Sequence, residues 1–199
     1  MENKEFEKNT KKMILPIVGY GHPVLRKVAQ PIDKDYPNLK ELVANMYETM
    51  YAADGVGLAA PQVDLSIRVV VIGFRPYDEK TDTYGEATEE HTLINPEILS
   101  FGEKKDWFNE GCLSVPDIHE DVLRPTSLRL RWYDEDWNLH EEEIDGLFAR
   151  VTQHEVDHLD GKVFTDHLSN LRRTMLKRRL NDIAAGRVRT RYRMKSNHK

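Results

Sequence analysis

The spacing of hydrophobic positions changes several times along the 199-residue chain, and each change marks an element. Over residues 39–52, Leu42, Met46, Met50 and Tyr51 recur at helical spacing and predict an amphipathic helix. Asp54-Gly55 ends it, with Gly55 suited to the C-terminal cap. After Pro61-Gln62, the β-branched run 67–72 reads as a strand. Residues 92–96, 122–123, 127–133 and 139–144 are further strand candidates. The polar run 78–90, Arg124-Pro125 and Asp134-Glu135-Asp136 break them apart. Asp145 suits the N-cap of a helix over 146–159, and Gly161 is placed to stop it. Leu147, Val151, His154 and His158 share one face of that helix, towards the core, where a strand can present Cys112. A last helix covers about 169–185, with Leu171, Met175, Leu180 and Ile183 inward, a basic outer face and Gly186 at its end. Residues 1–12 and the basic stretch 186–199 are expected to be disordered. That leaves 13–185 as a single α+β domain: short antiparallel sheets packed around a central helix, with one helix early and one late.

Composition narrows the function classes. No run approaches the roughly 18 apolar residues of a membrane helix, and residues 1–12 lack the apolar core of a signal peptide. The single cysteine, Cys112, cannot form an internal disulfide, so a reducing compartment, the cytoplasm, is expected. The net charge of −5 conceals an asymmetry, because residues 170–199 hold eleven Lys/Arg against one acid, Asp182. An acidic body with a basic end fits a polyanionic docking partner; a solvated helix with a frayed end is the plainer alternative.

The candidate chemistry centres on Gln153-His154-Glu155-Val156-Asp157-His158-Leu159. Histidines at i and i+4 stand one above the other on a helix, so His154 and His158 can ligate one ion. Glu155 follows the first ligand and can act as general acid and base over an open coordination position. HExxH alone arises by chance in many chains. A lone cysteine is most often a small buried hydrophobe, yet Cys112 follows Gly111, which permits close backbone approach. The histidine pair also needs a third protein ligand that leaves one position open for water. In residues 55–62, GVGLAAPQ, the paired glycines let a ligand lie against the main chain, and the Gln62 amide can donate to an oxyanion. A glycine-rich turn with a satisfied glutamine is the alternative there. An extended HExxHxxGxxH protease would place a third histidine at 164, which is Phe164, and His167 comes three residues too late. A structural zinc would need a fourth protein ligand, and no second cysteine exists to supply it.

Taken in order, GVGLAAPQ, EGCLS at 110–114 and QHEVDHLDG at 153–161 resemble the peptide deformylase family, whose pattern is GφGφAAxQ, EGCLS and QHExDHLxG with φ apolar. The match departs at no fixed position, and the resemblance covers about residues 13–166. It implies that Cys112, His154 and His158 bind one divalent metal with a water as fourth ligand: Fe²⁺ in the cell, with Zn²⁺, Ni²⁺ or Co²⁺ able to substitute. The implied reaction hydrolyses the N-formyl group from formyl-methionyl nascent peptides and releases formate. Glu155 would then carry the proton, while the metal, the Gln62 side chain and the Leu113 backbone N–H hold the oxyanion. The family binds the methionine side chain in an apolar pocket, with the peptide added as a strand beside the glycine motif. Val56, Gly57 and Glu110 lie inside the motifs as substrate-binding candidates; Phe108, Leu147 and Val151 lie just outside them. Arg150 is expected at the pocket rim or in solvent, and Asp157 as a carboxylate bracing the helix or an arginine such as Arg124. Some family members dock on the ribosome through a C-terminal helix, and the basic residues 172–179 carry the same expectation here. Neither a membrane nor DNA is an expected partner.

Overall fold

A computed structural model of the chain describes residues 13–195; the expected disordered extension, 1–12, and the final residues 196–199 lie outside them. Strand β1 (Ile17–Val18) and a 3-10 turn at Pro23–Arg26 lead into helix α1 (Leu39–Ala52), over the residues the periodicity predicts. The left-handed residue beyond α1 is Asp54, with φ 56°, not Gly55 as expected; a short polar side chain tolerates that conformation. Strand β2 (Gly57–Ala59), a 3-10 turn at Ala60–Val63 and strand β3 (Val69–Phe74) follow. A small hairpin of β4 (Tyr77–Asp78) and β5 (Thr83–Tyr84) occupies the polar run. Strand β6 (Glu89–Phe101) precedes a long hairpin, β7 (Lys105–Cys112) and β8 (Val115–Pro125). Strands β9 (Ser127–Tyr133) and β10 (Leu139–Asp145) lead into helix α2 (Gly146–Leu159), then helix α3 (Asn170–Ala184) and strand β11 (Met194–Lys195).

Five strands form an antiparallel sheet in the order β10-β9-β6-β3-β2. Strand β3 is covered on both faces, which explains its unbroken hydrophobic run. Val69 and Val71 pack with Val43, Met46 and Met50 of α1. Val70 and Ile72 pack on the other face with Ala149, Val151 and Leu159 of α2. Helix α2 is therefore buried between this sheet and the β7–β8 hairpin, and ten of its fourteen residues are buried. Beneath the hairpin, Val115, Ile118 and Val122 pack against Leu176, Leu180 and Ile183 of α3.

Three expectations change. Strand β6 is longer than residues 92–96 because a register shift between Ile94 and Glu97 absorbs Asn95 (φ 52°) and Pro96 without ending the strand. In α3, Leu171 and Met175 are exposed and Leu176 takes the inward place. Leu171 and Leu180 are nine residues apart, which at about 100° per residue puts them on opposite sides of the helix. Residues 187–195, expected within a disordered tail, return across the body, where β11 pairs parallel with β1. Their burial alternates strictly: Val188, Thr190, Tyr192 and Met194 are partly covered, and the intervening Arg and Lys residues are exposed. Among the described residues no helix is long and apolar enough to cross a membrane.

Candidate active site

The three motifs converge where α2, the β7–β8 turn and the 3-10 turn after β2 meet. One ligand atom from each of Cys112, His154 and His158 can be chosen so that all lie within 4.8 Å of one another. Cys112 closes β7 at a register shift between Gly111 and Cys112, which turns its thiol towards α2. Its Sγ lies 3.3 Å from His158 Nε2. Burial pushes the Cys112 thiol up, but the His158 and His154 rings outweigh that and bring it down to about 5. It therefore sits as the thiolate, the form that binds metal.

Glu110 settles the orientation of His154. Its Oε2 lies 2.9 Å from His154 Nδ1, leaving Nε2 of that ring for an ion. The remaining capacity of this carboxylate is committed to Arg124, at 2.7 and 3.1 Å, and to Arg150 at 3.2 Å. Glu110 lines the cleft as a substrate-binding candidate, while its carboxylate faces the histidine and the arginines. Burial raises its pKa, and the hydrogen bonds from His154 and Arg124 overcome this to bring it to about 2. Arg124 also donates to Asp157 Oδ2 at 2.7 Å, so Asp157 braces that arginine. Of the two places expected for Arg150, it lines the cleft rather than facing solvent, and it is buried because Glu110, the Val122 carbonyl and the Asp106 carbonyl all accept from its guanidinium.

Glu155 is 4% exposed, and its Oε2 has no hydrogen-bond partner among the described residues. Burial raises this carboxyl, with the neighbouring histidines pulling the other way, and it reaches about 7. A proton carrier poised near neutrality suits general acid–base chemistry. Across from it, a Cβ built on Gly57 would lie 2.5 Å from Glu155 Oε1, so strand β2 runs directly against this carboxylate. Gln62 accepts from the Ala59 N–H through Oε1 at 2.8 Å, which turns Nε2 to Cys112 Sγ at 3.6 Å and Ser114 Oγ at 3.3 Å.

These groups line a cleft of about 910 Å³ that also contains Val56, Gly57, Phe108, Leu113, Leu147, Arg150 and Val151. Val56, Phe108 and Leu147 are roughly half exposed along its wall, at 46%, 47% and 47%, whereas Val151 is buried. All the candidate site residues thus come together. The donor set fits a divalent ion: a thiolate and two imidazoles, with the buried, unpartnered Glu155 Oε2 in the same cleft. Position 164, which a protease of the extended motif would fill with histidine, holds a buried Phe164 whose ring stacks on His154. His167 is engaged elsewhere, 2.7 Å from Asp157.

Sequence reasoning missed the strap 189–192, which lines the same cleft, and Ser114, which shares the Gln62 amide with Cys112. The period-2 pattern Val188, Thr190, Tyr192, Met194 carries the signal for the strap, but a net of arginines masks it.

The family model for polypeptide deformylase matches residues 14–174. A peptide deformylase of Flavobacterium johnsoniae is 50% identical over 189 residues, covering 92% of this chain and 96% of the relative. Among solved structures, Arabidopsis thaliana peptide deformylase 1B in complex with an inhibitor is similar at 35% identity and a TM-score of 0.76, over 87% of this chain and 92% of that one. A class I type b peptide deformylase of Acinetobacter baumannii bound to Met-Ala-Ser is similar at 32% identity and a TM-score of 0.71, over 79% and 99%. Matches of this extent, joined to a cleft in which all three motifs meet, place the chain in the polypeptide deformylase family, the metal-dependent hydrolases that remove the N-formyl group from nascent peptides.

Proposed function

We propose that Cys112, His154 and His158 hold one divalent ion, Fe²⁺ in the cell, and that Glu155, Gln62 and Leu113 run the deformylation. The observation that carries this reading is the unpartnered Glu155 oxygen beside three ligand side chains whose donor atoms lie within 4.8 Å. When bound, the ion supplies Lewis acidity that makes a water nucleophilic near neutral pH. Glu155 takes a proton from that water as its oxygen adds to the formyl carbon. The oxyanion that develops receives hydrogen bonds from Gln62 Nε2 and the Leu113 N–H. Glu155 then returns the proton to the amine nitrogen as the C–N bond breaks, leaving formate and a free methionyl amino group. Val56, Phe108, Leu147 and Val151 enclose the methionine side chain, and Gly57 offers its backbone to the peptide. A reduced Cys112 suits the cytoplasm.

Formate release from formyl-Met-Ala-Ser, by protein purified anaerobically and loaded with Fe²⁺ or Ni²⁺, tests this directly. Turnover by the wild type and a loss of about 10³-fold or more in Glu155→Ala, with metal retained in both, is the expected result. Equal turnover in the two proteins would remove Glu155 from its role.

A further inference from the structure

The β7–β8 turn that carries Cys112 and Leu113 is held from three sides. Tyr20 donates its N–H to the Ser114 carbonyl at 2.7 Å, beside β1. Gln62 Nε2 donates to Ser114 Oγ at 3.3 Å. The third hold comes from the C-terminal strap, where the Tyr192 hydroxyl donates to the Leu113 carbonyl at 2.7 Å.

The strap is itself anchored. The Arg193 carbonyl accepts from the Ile17 N–H at 2.9 Å, and the Lys195 carbonyl accepts from the Gly19 N–H at 3.1 Å. Lys195 Nζ reaches Asp64 Oδ2 at 2.5 Å, and at the other end Arg187 pairs with Asp182 at 2.7 Å. Tyr192 therefore presents its hydroxyl from a backbone fixed on both sides. Burial, with the negative charges of Cys112 and Asp117, raises its pKa and keeps the hydroxyl protonated as a donor.

We propose that Tyr192 is a positioning residue: by holding the Leu113 carbonyl, it keeps the two-residue turn oriented so that the Leu113 N–H stays aimed at the oxyanion. This rests on the reading of Leu113 given above. A donor aligned in advance costs no reorganisation when charge develops, and a loose one forfeits part of that gain. The ring contributes separately, since Tyr192 also packs against the hydrophobic cluster of α1 and β3. Hydroxyl and ring are therefore tested apart.

Tyr192→Phe keeps the ring and removes the hydrogen bond. In the full-length, metal-loaded chain, kcat on formyl-Met-Ala-Ser is expected to fall about tenfold, a fraction of the ~10²–10³ that loss of a whole oxyanion donor costs. KM should stay within about twofold of wild type and metal stoichiometry should be unchanged. Amide hydrogen exchange at Leu113 and Ser114 should quicken. Tyr192→Ala should lose more and also lower the melting midpoint. The proposal is overturned if Tyr192→Phe keeps wild-type kcat and wild-type exchange, because the ring alone then accounts for the contact. Loss of metal or a matching change in KM in Tyr192→Phe would also overturn it, since the hydroxyl would then be supporting the whole site. The exchange measurement does not depend on turnover, so it decides the hold on the turn even if wild-type protein fails to release formate, which would be a failure of the functional reading.

Discussion

At Gly57 the constraint is space rather than backbone angle. Its φ is not among the positive values found at Gly21, Gly146, Gly161 and Gly186, so any residue can adopt its backbone. A Cβ there would nevertheless stand 2.5 Å from Glu155 Oε1 and 2.7 Å from Val151 Cγ1. Under the proposed function, one neighbour carries the proton and the other encloses the methionine pocket, so relief of the clash is expected to displace catalysis or binding. Gly57→Ala is expected to lower kcat/KM about a hundredfold, as a misplacement of roughly 1 Å at a reacting group does. Metal content should match the wild type, because the atoms nearest that Cβ belong to Glu155 and Val151 and not to a ligand side chain. An alanine variant within about threefold of wild type would show that Glu155 has room to move and that the close approach is incidental. The same scale shows how far motif spacing reaches. His154, Glu155 and His158 declare themselves through residue type and helical offset, and Cys112 through the motif around it, whereas the service of Glu110 to His154 depends on a contact across 44 positions of sequence.

Among the elements, those whose stability comes from a regular apolar stripe were the legible ones. The helix spacing predicts α1 over 39–52 and α2 over 146–159, as found. The β7–β8 hairpin hides because charged residues interrupt its apolar inward positions. Strand β8 alternates buried and exposed from Pro116 onwards, but Glu120 and Arg124 fill inward places, so only Val122-Leu123 reads as strand. Strand β7 is exposed over most of its length, and its one buried residue is Glu110. The concealment has an energetic counterpart. Arg124 is 4% exposed and holds both Glu110 and Asp157. Removing it leaves two carboxylates desolvated and short of a partner, a loss that typically costs about 3–5 kcal/mol. Arg124→Met should therefore lower the melting midpoint by about 10 °C. Arg124→Lys should recover little, because a single ammonium cannot reproduce the forked contact to Glu110. A drop of only a degree or two in Arg124→Met would mean that His154, His167 and Arg150 suffice to neutralise the pair.

For the whole molecule, the charge asymmetry acquires a geometry that sequence alone does not supply. Leu176, Leu180 and Ile183 seat α3 in the core, and the strap beyond it lines the active cleft, so deleting residues 170–199 would damage the enzyme as well as any docking surface. A cleaner test of ribosome docking uses only the exposed face of α3. Arg172 is paired with Glu120 and Arg179 is held by the Asp117 carbonyl, which leaves Arg173, Lys177 and Arg178 without a carboxylate partner among the described residues. Exposed Leu171 and Met175, at 74% and 62%, lie on the same helix. If this helix meets ribosomal RNA, replacing those three cations with glutamine should cut co-sedimentation with ribosomes at about 0.1 M salt by at least tenfold. The slope of log affinity against log salt should flatten by about 2 to 3, because each lost phosphate contact releases roughly one counterion fewer. Formate release from a free formyl-Met tripeptide should stay at the wild-type rate, since none of the three residues lines the cleft. Unchanged ribosome binding with an unchanged salt slope would assign the basic face to solvation alone.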